Sequence, residues 1–125
     1  MRNFALAAAA GLAMTAAAQA DVYNDNIFDI QSGIADGNGT LDIVSVEVTN
    51  DLTNIQFKIT VFGDTAATDW AKYCIAIDSV SGGAGTTNGW GRPIGMSSGM
   101  DIWLGTWIDG GNGLETRHYS GAWYL

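Results

Sequence analysis

The sequence predicts an all-β protein: an antiparallel β-sandwich of six or seven strands, jelly-roll or immunoglobulin-like, preceded by a signal peptide. Three observations carry that expectation. After residue 20 no segment keeps a 3.6-residue apolar period, whereas two-residue alternation recurs. Clusters of Gly, Asn and Asp separate the alternating runs at short intervals. The first twenty residues differ in composition from everything that follows.

That first segment has the parts of an export signal. Arg2 supplies a positive n-region, and Phe4 to Ala18 is an uncharged run of mostly Ala, Leu and Met. Ala18-Gln19-Ala20 places small residues at −3 and −1 of a cleavage point before Asp21. The run is too short and Ala-rich to span a bilayer, which takes about 20 strongly apolar residues. The expected division is therefore 1–20, signal peptide, and 21–125, one domain secreted to the periplasm, cell surface or medium.

Within the domain, residues 22–30 suit an irregular first strand, and Asp36-Gly37-Asn38-Gly39 a turn. Residues 41–49 alternate, with Val44, Val46 and Val48 on one face and Ser45, Glu47 and Thr49 on the other. Asn50 to Asn54 is a turn into residues 55–62, where Ile55, Phe57, Ile59 and Val61 share the inward face. Two such runs read as a hairpin with one core face. Residues 71–78 give a further strand with Tyr73, Ile75 and Ile77, and Cys74 in this apolar run reads as a small buried hydrophobe. Residues 81–99 hold seven glycines and one proline, too long a connection for a hairpin and of a length usually found in functional or disordered loops. Residues 101–109 and 114–119 are strands joined by Gly110 to Gly113, and Ser120-Gly121 turns into a last strand at 122–125. The chain stops at Tyr124-Leu125 inside that strand; either the strand closes the sheet or the natural chain continues.

Charge and composition narrow the function classes. The net charge is −8, and losing Arg2 with the leader makes it −9. Such a surface disfavours nucleic acid and anionic membranes and suits neutral ligands or divalent cations. No second apolar span follows the leader. The lone Cys74 permits no internal disulfide and no cysteine-based zinc site. Enzymatic readings find little material, so a non-catalytic protein is expected. Glu47 and Glu115 are the only glutamates, on a solvent face and beside a turn, and His118 is the only histidine. Haem ligation by His118 with Met96 or Met100 lacks an attachment motif and is not expected.

The five tryptophans, all beyond residue 20, are the unusual component. Trp70 and Trp123 are expected in the core. In residues 101–109, Ile102, Leu104 and Ile108 share one face, leaving Trp103, Gly105 and Trp107 on the other. The two indoles are then ~13 Å apart along the strand, with Gly105 as a bare floor where a ligand can approach. Trp90 lies between Gly89 and Gly91 in the long loop, beside the donor fork of Arg92. Trp faces match the apolar faces of sugar rings. The candidate ligand-binding residues are therefore Trp90, Arg92, Asp101, Trp103 and Trp107. Asp78 and Asp101, at the two feet of the long loop, are a weaker candidate pair for calcium; otherwise no cofactor is expected. Core packing of the aromatics and solvation of the carboxylates stand as the alternatives.

Several strings carry a resemblance. The Val-rich strand, NIQFKITVFGD, the W-x-K-Y-x-I-x-I-D strand, the Gly-rich loop and a strand ending in Asp, over roughly residues 41–110, resemble the DOMON and family 9 carbohydrate-binding-module superfamily. The string NGWGRPIGMSSGMDIWLGTWIDGG is also similar to uncharacterised exported bacterial proteins, some with a C-terminal sorting anchor; no such anchor is present in this sequence. The resemblance implies a β-sandwich that holds sugar or haem, and points to Trp90, Trp103 and Trp107 as sugar-stacking positions. The expected function is an exported ligand-binding module for a glycan or cell-surface polysaccharide. The alternative is a structural or surface-display domain of a larger extracellular protein, with no small-molecule ligand.

Overall fold

A computed structural model describes residues 19–125, so the expected leader lies outside the described residues apart from Gln19 and Ala20. The described chain is all-β: seven strands in two antiparallel sheets. β1 (Gln19–Asn24), β2 (Ile43–Asn50) and β3 (Ile55–Val61) form one sheet. β4 (Lys72–Ile77), β5 (Ile102–Trp107), β6 (Gly113–Tyr119) and β7 (Trp123–Tyr124) form the other. No helix among the described residues is long and apolar enough to cross a membrane, which says nothing about strand-built spans.

In both sheets the strand order follows the chain, so each is a meander. This corrects the expected jelly-roll or immunoglobulin-like connectivity, which depends on Greek-key returns. The cause is local. The turns at 51–54, 108–112 and 120–122 are short, and a short turn pairs each strand with its sequence neighbour. Asp51 fixes the first of them, its Oδ1 accepting the amides of Thr53 and Asn54, both at 2.7 Å. Asn112 sits at φ 56°, a left-handed conformation that asparagine tolerates, between Gly111 and Gly113.

The hairpin of β2 and β3 has the expected register, with Val46 opposite Ile59 and Val48 opposite Phe57. A shift between Ile43 and Ser45 puts Ile43 opposite Val61, so Ile43, not Val44, continues the inward face. The first strand begins and ends earlier than expected. After Asn24 the side chain of Asp25 accepts the Asn26 amide, and Phe28 turns the backbone at φ 68°.

The inward faces of β3 and of the four-stranded sheet look at each other across an apolar cleft of about 600 Å³. Phe57, Ile59 and Val61 line one side and Tyr73, Ile75, Leu104 and Leu114 the other. Of the residues expected as core, Val44, Val46, Val48, Phe57, Ile59, Ile75 and Ile77 are half-buried, and Ile55 is 62% exposed. The patterning is right but the sheets close only partly on each other. Tyr73 ties them together, donating from its hydroxyl to the Thr40 carbonyl at 2.7 Å. The fully buried apolar residues are instead Ala71, Ala84 and Trp103. Trp103 belongs to the other face of the second sheet, and Ala84 to the long loop between β4 and β5.

Candidate functional site

Residues paired across neighbouring antiparallel strands share a face, so the register of β4, β5 and β6 defines a surface row by row. Lys72, Trp107 and Gly113 stand side by side; next come Cys74, Gly105 and Glu115; then Ala76, Trp103 and Arg117. Tyr119 and its partner Trp123 extend the same face across β7. This face is turned away from the cleft between the sheets. Cys74 is exposed here, which corrects its expected burial: β4 is an edge strand, and Cys74 stands on its outward side. Partial desolvation still raises its thiol above the ordinary value.

The loop between β4 and β5 covers part of this face because two polar side chains fold it. Asp101 closes its base. One carboxylate oxygen accepts the Ser79 hydroxyl at 2.8 Å, and the other the amides of Ser79 and Val80 at 3.0 and 2.7 Å. Burial pushes the Asp101 carboxyl up, but these donors outweigh it and hold the group below the usual aspartate value. Asn88, 2% exposed, shapes the crest. Its amide nitrogen donates to the Arg92 and Ile94 carbonyls at 2.7 and 3.3 Å. Its oxygen accepts the Trp90 and Arg92 amides at 3.2 and 3.0 Å. Both ends of the side-chain amide are thus used twice.

So folded, the loop lowers Trp90 onto Gly105. A Cβ at Gly105 would collide with the six-membered ring of Trp90, so only glycine leaves that seat open. Trp103 lies on one side, ring centroids 5.8 Å apart and nearly edge-on, and Trp107 on the other at 6.4 Å. Such spacings are those of favourable aromatic pairs. Gly89 rests on Trp103, where a Cβ would come within 2.6 Å of the ring. Trp90 Nε1 donates to Glu115 Oε1 at 2.9 Å, and Arg117 Nε bonds the same oxygen. The Arg117 hydrogen bond, the Trp90 hydrogen bond and the Arg117 charge hold the Glu115 carboxyl below its usual range, against desolvation acting the other way.

The space expected between Trp103 and Trp107 is thus filled by the protein's own Trp90. An open cleft of about 800 Å³ lies beside it. Trp90, Trp107, Tyr119 and Trp123 supply its aromatic surface, and Lys72, Arg92, Arg117, Thr87 and Asn88 its polar groups. Of the expected binding residues, Trp90, Arg92 and Trp107 come together here. Trp103 is 3% exposed and lies beneath the loop; Asp101 is buried at its base. Trp123, expected in the core, lines the cleft, with Nε1 3.3 Å from Thr87 Oγ1, and Trp70 is 47% exposed. Lys72, Arg117 and Tyr119 are not among the residues the sequence points to. The signal for Arg117 and Tyr119 is the alternation Gly113, Glu115, Arg117, Tyr119, which continues the Trp103–Trp107 face once the hairpin register is drawn; Lys72 joins that face opposite Trp107.

For calcium, both Asp101 oxygens already accept hydrogen bonds, from the Ser79 hydroxyl and the Ser79 and Val80 amides, so donors stand where a cation would have to sit. Among the described residues no group of three or more His, Cys, Asp or Glu is arranged to hold a metal. His118 pairs with Ile102, on the face opposite the cleft, and stacks on Tyr124 at 5.8 Å. Comparison with protein-family models, curated proteins and solved structures finds no match.

Proposed function

We propose that this protein is an exported, non-catalytic β-sandwich module that binds carbohydrate in the cleft beside Trp90. The convergence of Trp90, Trp107, Tyr119 and Trp123 with Asn88 and three cationic side chains carries the reading. Ligand sites combine a concave, largely apolar lining with a few placed polar groups, and sugars present both an apolar ring face and a rim of hydroxyls. The clamp on the loop supports it further, because a preordered wall loses less entropy on binding than a loose one. The DOMON and family 9 resemblance belongs to the same reading.

A glycan array on the mature domain, followed by calorimetry on any hit, is the test. Trp107→Ala and Trp123→Ala should each weaken binding by about 1–3 kcal/mol, by analogy with base–aromatic stacking; Trp107→Ala should also lower the thermal midpoint, because Trp107 packs against Trp90. Trp103→Ala should instead cost about 3–5 kcal/mol of stability, as expected for a buried tryptophan. A folded parent that binds no glycan removes the proposal. The burial of Trp103 and the seating of Trp90 favour one other reading, a structural or surface-display domain whose aromatics only pack; stable protein without a glycan ligand is its outcome.

A further inference from the structure

The distribution of charge around the cleft runs against that of the chain. The sequence has 13 acidic and 5 basic residues, and four of the basic ones lie in the described part. Three of those four, Lys72, Arg92 and Arg117, line the cleft, and no carboxylate side chain does. Two of the three are paired just outside the lining: Lys72 with Asp109 at 2.6 Å, and Arg117 with Glu115. Arg92 has no carboxylate within ion-pair distance among the described residues, in a chain where carboxylates outnumber cations more than twofold. Its backbone is fixed from both sides by Asn88, which accepts from its N–H and donates to its carbonyl. A guanidinium without a carboxylate partner, carried on a fixed backbone at the rim of an aromatic cleft, matches a planar or tetrahedral oxyanion, which arginine binds through paired N–H donors.

Resting on the carbohydrate reading above, we infer that the sugar taken here is acidic: an oligosaccharide carrying carboxylate or sulfate groups. The aromatic surface receives the ring, and Arg92 receives the anionic substituent. The net charge of −8 opposes long, dense polyanions at a distance, so the favoured ligand is a short acidic unit or chain end held by close contacts.

The test uses matched oligosaccharides presented to the mature domain. The pairs are oligogalacturonates with their methyl esters, and sulfated galactan oligomers with the desulfated forms. The inference expects one acid form to bind at least about tenfold more tightly than its neutral partner, a difference of one factor of ten in Kd. Whichever pair shows the difference identifies the substituent. Arg92→Gln should abolish that preference, lowering the affinity for the acid form to about that for the neutral form, with the thermal midpoint near that of the parent because Arg92 is exposed and makes no ion pair among the described residues. Equal binding of acid and neutral forms would overturn the acidic assignment and leave the glycan site standing. A preference that survives in Arg92→Gln would overturn the role of Arg92. Failure of all four probes and of a broad neutral glycan array would remove the glycan reading and this inference together.

Discussion

Glu115 is the residue on which the wall of the cleft turns. It accepts Trp90 Nε1 and Arg117 Nε on one oxygen, and so couples the loop to β6. Its carboxyl is held below the ordinary glutamate value, about 4.3, by Arg117 first and Trp90 after it. A depressed carboxylate contributes stability that is complete above the unfolded-state pKa and is lost as pH falls through the lower folded value. Acidification from about pH 5 should therefore loosen Trp90 before the protein is fully protonated. Asp101 and Asp51 are also depressed, so they titrate in the same acid range and a stability profile alone does not isolate Glu115. Tryptophan fluorescence against pH, compared between the parent and Glu115→Gln, does. The parent should show a spectral step below pH 5 that the glutamine variant lacks. The same step in both proteins would assign it elsewhere.

At the scale of elements, the connection between β4 and β5 is the part that gives the sheet a site. Its base is closed by Asp101 and by backbone bonds between Ala84 and both Gly99 and Met100, each 2.8 Å, and its crest by Asn88. Asn88→Ala removes four hydrogen bonds and leaves the amides and carbonyls they served to water or to nothing. An unsatisfied buried group costs about 1–3 kcal/mol. Stability should fall on that order, and acrylamide should quench the tryptophan emission more strongly as Trp90 leaves Gly105. Unchanged quenching would mean that the glycines and Trp103 hold the crest without the clamp. This element also marks the limit of what the sequence shows. Trp103, Gly105 and Trp107 are readable as one face because a strand's period of two is local. The seat of Trp90 is not, because it depends on a path through space closed by Asn88 and Asp101. The strands were legible for the first reason. The incomplete burial of Phe57 and Ile59 was not, because alternation reports which side is apolar and not how closely the facing sheet approaches.

At the scale of the whole molecule, β1 joins the fold to the expected leader. Gln19 and Ala20 are its first two residues, exposed and paired with Asn50 and Thr49. Cleavage before Asp21 removes those two pairs and leaves Asp21 to Asn24 against Val48 to Ser45. β1 is an edge strand, so the cut breaks pairing on one side only and uncovers no further strand than β2 at its end. Exposed positions of this kind usually change stability by no more than about 0.5 kcal/mol. The fold should therefore tolerate the shortened strand, and residues 21–125 should melt close to the chain that keeps Gln19 and Ala20. Intact-mass measurement of exported protein should find the first twenty residues missing. A full-length chain in the cytosol would refute export. A mature chain starting further along β1, or a sharp loss of stability on removing Gln19 and Ala20, would move the boundary between leader and domain and make those two residues part of the fold.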